Sequence, residues 1–162
     1  MPYDDANVIA NNVLHRAFNE RIDVTPMKLQ KILYFVASEY HKRSEHPLFG
    51  YRDRFEAWEY GPVLNHVYTK FKPFSGVPIT VYAPQEAVGN AYRIEETEDR
   101  VLHECLNLVW EHTKLRGAVQ LATITQMPGS AWYTAYMAGE RFLNNVDIHD
   151  DNTYQIALGI LP

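Results

Sequence analysis

The chain has 162 residues, of which 46% are hydrophobic and 22% charged, and a net charge of −5. That length and balance fit one globular domain and exclude disordered and collagen-like classes, while a lone cysteine, Cys105, excludes an internal disulfide framework. Charge is uneven, +1 over residues 1–80 and −6 over residues 81–162; an acidic half repels phosphate backbones and attracts basic proteins, and equally reads as a solvated face.

The first helix is expected from about Asp5 to Glu20, capped by Asp4 or Asp5, with Ile9, Val13, Leu14 and Phe18 on its apolar side. Thr25 as cap and Pro26 at the first position open a second helix. There Leu29, Ile32, Leu33, Val36, Ala37 and Tyr40 recur at three- and four-residue steps. Pro47 and Gly50 break that pattern, and Phe55 to Tyr60 has the aromatic content of a short strand. Gly61-Pro62 ends it, and Pro62 is expected to start a third helix with Val63, Val67, Tyr68 and Phe71 on one face, stopping before Pro73.

Two extended segments, Ile79 to Tyr82 and Ala91 to Ile94, flank a Gly89-Asn90 turn and are expected to join Phe55 to Tyr60 in a small antiparallel sheet. Thr97 is expected to cap a fourth helix, with Glu98 and Asp99 in its first turn and Val101, Leu102, Cys105, Leu106, Val109 and Trp110 buried. Shorter helices are expected from about Ala118 to Gln126, from near Ser130, and after Asp150-Asp151. The expected fold is mainly α (α+β), a compact helical domain with a small antiparallel β-sheet, as one domain over residues 1–162.

Catalytic words are absent: no GxSxG, GxxxxGK[ST], GxGxxG or HExxH occurs. Cys105 lies on an apolar stripe, which suits an inert buried thiol. His41, Glu45 and His46 lie close in sequence, but at a fraying helix end before Pro47, and His103 and Cys105 point apart on one helix. No metal and no cofactor is expected. Lys28, Lys31, Lys42 and Arg43 along the second helix, with Arg52, Arg54, Lys70 and Lys72 nearby, form a candidate basic stripe. Glu20, Asp23, Glu39 and Asp53 dilute it, so direct nucleic-acid binding is not expected.

The words Leu29-Gln30-Lys31-Ile32-Leu33-Tyr34-Phe35, Pro47-Leu48-Phe49, Glu56-Ala57-Trp58 and Gly61-Pro62-Val63 resemble the Panacea domain family, also called SocA-like. Thr125 and Pro128-Gly129-Ser130-Ala131-Trp132 extend the resemblance, although this chain has Gln126 and an added Met127 where the family often has a histidine. The resemblance implies an antitoxin of bacteria or phages that neutralises a cognate protein toxin by direct contact and is not an enzyme. It also admits an adaptor that hands a toxin to an ATP-dependent protease, and an enzyme with a nonstandard site around Glu56 and Lys31 is a third reading.

Gln30, Lys31 and Tyr34 match the motif and flank the apolar stripe, either facing a partner or packing inward, with Tyr34 in the core and Gln30 and Lys31 satisfying loop carbonyls. Glu56 and Trp58 share a strand face. Trp132 and Tyr133 are of the types enriched in binding hot spots and are candidate partner anchors, with a core tryptophan that staples the helix entry as the plainer alternative. Thr25, Pro26, Gly61 and Pro62 are expected to be architectural. The start of the chain lacks a basic and apolar leader, and no apolar run approaches the roughly 20 residues of a membrane span, so a cytoplasmic protein is expected.

Overall fold

Helix α2 (Pro26–Ser44) runs through the middle of the protein, and every residue from Lys28 to Tyr40 is buried. The computed structural model describes residues 2–85 and 89–161. Around α2 pack α1 (Ala6–Glu20), the hairpin of β1 (Phe55–Trp58) and β2 (Gly61–Leu64), α3 (Asn65–Phe71), α4 (Arg100–Thr113), α5 (Ala118–Thr125) and α7 (Asn145–Asp150), while α6 (Ala131–Met137) and α8 (Thr153–Ala157) close the far side. This is the expected mainly helical fold with a small antiparallel sheet. No described helix is long and apolar enough to cross a membrane.

The caps follow the sequence closely. Asp5 accepts from the Asn7 N–H, Thr25 from the Lys28 N–H and Ser130 from the Tyr133 N–H, each meeting a donor the helix start leaves unpaired. Leu29, Ile32, Leu33, Val36, Ala37 and Tyr40 are all in the core, with Tyr34 and Phe35 beside them.

Three expectations are corrected. Pro62 does not start a helix: Gly61, at φ +112°, lets a two-residue turn reverse the chain, and 61–64 folds back on 55–58 with Ala57 opposite Pro62 and Trp58 opposite Gly61. The Ala57 N–H points the other way, to the Arg141 carbonyl at 2.8 Å, so Pro62 faces a position that asks it for no donor. Helix α3 starts only at Asn65.

The segments at 79–82 and 91–94 are not strands. They lie extended over α1, whose buried Asn11 bonds both N–H and C=O of Ala83 and the Tyr92 carbonyl, while Asn12 does the same for Ile94. Side-chain amides have replaced the ladder, leaving one isolated bridge between Pro84 and Ala91. Thr97 is no cap; Glu96–Glu98 forms a 3-10 turn, and the Asp99 carboxylate caps α4 through the Leu102 N–H. The last helix does follow Asp150-Asp151, as α8 from Thr153, and one further helix, α7, which the sequence did not signal, ends at Asp150.

Asp151, between these two helices, ties the C-terminal part to α2. It accepts from the Tyr34 hydroxyl at 2.5 Å, the Ala131 N–H at 3.3 Å, and the Thr153 N–H and hydroxyl at 3.0 and 2.7 Å. Burial, with the Asp151 charge beside it, holds the Tyr34 hydroxyl well above its usual pKa, so it remains a donor. Asp151→Ala would strand that hydroxyl and a buried N–H, and should lower the unfolding free energy by about 3 kcal/mol in urea melts. Tyr34→Phe, which removes only one donor, should lower it by about 1–2 kcal/mol.

Candidate partner-binding surface

The hairpin is too short to stand alone, and both of its edges are occupied from outside. On the outer edge of β2, the Gln30 side-chain amide accepts from the Leu64 N–H at 2.8 Å and donates to its carbonyl at 3.2 Å, so it acts as one rung of a third strand. One residue on, Lys31 Nζ donates to the Pro62 carbonyl at 3.1 Å. On the other side of β1, the Leu143 N–H reaches the Phe55 carbonyl at 2.9 Å, and residues 141–143 run along the strand.

Gln30, Lys31 and Tyr34 therefore take the inward reading: Tyr34 is in the core, and the other two satisfy backbone of β2 rather than flank the stripe. Lys31 is 1% exposed, and burial pushes its ammonium down to about 7. The lysines of the candidate basic stripe on α2 also turn inward, while Arg43, Arg52, Arg54 and Lys72 stay exposed. Lys28 Nζ donates to the Lys114 carbonyl, Lys42 Nζ to the Asp151 carbonyl and Ser38, and burial lowers both. Arg43 is paired with Glu39 and Glu104.

At the turn, aromatic side chains come together from three elements. The Trp58 ring meets Tyr68 of α3 edge-on at 4.9 Å, and its Nε1–H donates to Glu56 at 3.2 Å. Trp132 of α6 donates to the Trp58 carbonyl at 2.6 Å and stacks on Tyr136 at 4.4 Å. So the structure joins Glu56, Trp58 and Trp132, and leaves Tyr133 half-buried on the same short helix. Trp132 itself is buried and architectural; the rings that reach solvent are Tyr60, 61% exposed, and Tyr136, 42% exposed. Sequence reasoning passed over both as contact residues. Tyr136 was legible from its four-residue spacing to Trp132, which stacks rings on one helix face; Tyr60 was not, because its exposure depends on the turn.

Asp5, Asp53 and His66 bring one ligand atom each within 4.8 Å, a group distinct from His41, Glu45 and His46, which lie close in sequence and are expected to hold no metal. Their acceptors serve the start of α1: Asp5 takes the Asn7 N–H, Asp53 the Ala6 N–H, and His66 Nδ1 lies 3.1 Å from Asp53. That is a helix cap buttressed by an imidazole. His46 turns to the Pro47 carbonyl and the Tyr40 ring, while Glu45 faces His149. Cys105 is buried, and burial pushes its thiol up to about 12, so it is not a nucleophile at neutral pH.

Gly61 shows why the Gly-Pro word is needed. A Cβ there would sit 2.6 Å from Thr125 Oγ1 and 3.1 Å from Lys31 Nζ, on top of the positive φ. Thr125 cannot yield easily, since its hydroxyl donates to the Ala122 carbonyl at 2.6 Å. Gly61→Ala should cost at least about 2 kcal/mol in thermal or urea unfolding, and Thr125→Ala should recover only part of it because the backbone strain remains.

Lys31 gives a second expectation. Between about 7 and its usual 10.5 the unfolded chain holds a proton that the folded protein does not, so stability rises with pH across that window. In Lys31→Met the slope of unfolding free energy against pH above 7 should be smaller by about 1.4 kcal/mol per pH unit, read from urea melts of both proteins.

The Antitoxin SocA-like, Panacea domain family matches residues 29–133, a span holding α2 from Leu29 on, the hairpin, Thr125 and Trp132. A curated relative, Antitoxin SocA of Caulobacter vibrioides, is 29% identical over 130 residues, covering 79% of this chain and 68% of its own. No solved structure matches the chain. The chain belongs to the SocA-like Panacea domain family of antitoxins.

Proposed function

We propose that this SocA-like Panacea protein neutralises a cognate protein toxin by binding it directly with the aromatic surface around the hairpin turn and α6, covering the toxin's working surface. The observation that carries this reading is the exposure of Tyr60 and Tyr136 on a base of rings that are already fixed. Tyr and Trp supply large contact area with few rotatable bonds, and rings held by hydrogen bonds and stacking lose little freedom on binding. Half-buried Trp58 and Tyr68, which meet edge-on, widen the apolar patch. A stable block of a toxin would extend such a patch to roughly 1,600 Å² of total buried area.

The deeper motif residues support the surface from behind. Gln30, Lys31 and Gly61 fix the hairpin, and Trp132 fixes its Trp58 carbonyl, so the family words describe the mount more than the contact. No reaction by this chain is needed for neutralisation.

Expression of the cognate toxin alone should arrest growth, and co-expression with this chain should restore it, with the two proteins copurifying. Tyr60→Ala and Tyr136→Ala remove exposed rings and leave the fold intact. Each should weaken toxin binding by about tenfold or more, and the double variant should lose protection in the growth assay. Full protection by a folded double variant would refute this surface; a toxin that never associates with the wild-type protein would refute direct binding.

A further inference from the structure

A cleft of about 570 Å³ opens beside the hairpin turn, walled by Met27, Trp58, Tyr60, Val63 and Tyr68, with Lys31 on its lining. Clefts of this size hold small organic molecules. The lysine is the unusual part of the lining. Its ammonium carries three donors, and one of them is taken, by the Pro62 carbonyl at 3.1 Å. Among the described residues no carboxylate is paired with it, and burial alone accounts for its lowered affinity for a proton. A buried lysine without a counter-ion is costly unless something arrives to complete it.

We propose that this cleft is a binding site for a small organic monoanion: a carboxylate carried on a flat apolar ring, its charge on Lys31 Nζ and its ring against Trp58, Tyr60 and Tyr68. One buried cation selects one negative charge. A phosphate dianion would bring a second, met at the exposed rim by Lys72 but opposed by Glu59, so the rim adds no net attraction. The rings supply flat, apolar contact on which another ring can stack or meet edge-on. Gln30 contributes shape and no charge, since both ends of its amide are held by Leu64.

Binding and protonation are linked. The anion favours the charged amine, so a ligand that binds here draws a proton onto Lys31 when the solution lies above about pH 7. The other titratable groups facing the cleft are Glu59 and Tyr60 from the turn, Tyr68 of α3 and Lys72 beyond it; comparison with Lys31→Met separates the lysine's proton from theirs.

The test is calorimetric titration of the full chain with phenylacetate and with its neutral analogue phenylacetamide, at pH 6.5 and 8.5. In parallel, the Lys31 ε-carbon signal is followed by NMR across pH. Phenylacetate should bind with a Kd of about 1 mM at pH 6.5, a strength within reach of a ligand of that size. The amide should bind about tenfold or more weaker, and the acid should weaken by about tenfold at pH 8.5. Lys31→Met should abolish the preference for acid over amide, and ligand should move the Lys31 titration upward. Equal binding of acid and amide, pH-independent affinity, or no heat and no NMR shift up to about 20 mM ligand would each overturn the proposal. These comparisons use the wild-type chain, so they decide the matter even if Lys31→Met does not fold. No toxin is present, so the result does not depend on the partner surface.

Discussion

Helix α2 is buried on all sides and still carries Gln30, Lys31, Tyr34, Ser38, Glu39 and Lys42 into the interior. A buried polar group without a partner costs more than the hydrogen bond it would make, so each of these side chains dictates what must lie opposite. Gln30 and Lys31 take the β2 backbone, Tyr34 takes Asp151, and Ser38 takes the Ile148 carbonyl at 2.6 Å. Glu39 accepts from the Tyr154 hydroxyl at 2.8 Å and the Gln155 amide at 2.5 Å. The apolar face of α2 makes the core; its polar side chains choose which segments close around it. Short helices such as α7 and α8, too brief to be stable alone, are placed by that requirement.

The hairpin is the clearest case. Two strands of four residues have little stability of their own, yet their turn must hold rings in fixed positions if it is to serve as a contact surface. Stiffness comes from both edges, from Gln30 and Lys31 on one and residues 141–143 on the other, and from Trp132, whose indole N–H clamps the Trp58 carbonyl. Glu56 is held from two directions, by the Trp58 indole and by Arg141 at 3.5 Å. A residue of this kind looks catalytic in sequence because it is charged and flanked by an aromatic. In place, its partners use its acceptors for positioning.

What the sequence revealed, and what it hid, follows from range. Helices α1 and α2 were legible because a cap and a three-to-four-residue repeat are local signals, and the core positions of α2 came with them. The segments around Ala83 and Ile94 read as strands because extended apolar chain has one local pattern, whether its partner is another strand or an asparagine on a distant helix. Only the fold brings Asn11 and Asn12 opposite them. Pro62 misled for a similar reason: a proline suits the first turn of a helix and also a strand position whose N–H is not needed, and the register with Ala57 decides between them. The motif residues were found by sequence, but the sequence left inward and partner-facing readings open, since Gln30 and Lys31 are polar and their acceptors lie 31 to 34 residues away.

Lys31 joins the architecture to the surface. Its ammonium is held down to about 7 by burial alone. The same residue is on the lining of a cleft whose walls, Trp58 and Tyr60, also belong to the aromatic surface at the turn. Anything that fills the cleft touches the rings a partner would touch. Ligand and partner are then thermodynamically coupled through shared side chains, and whichever sign that coupling takes, it must be the same read from either side.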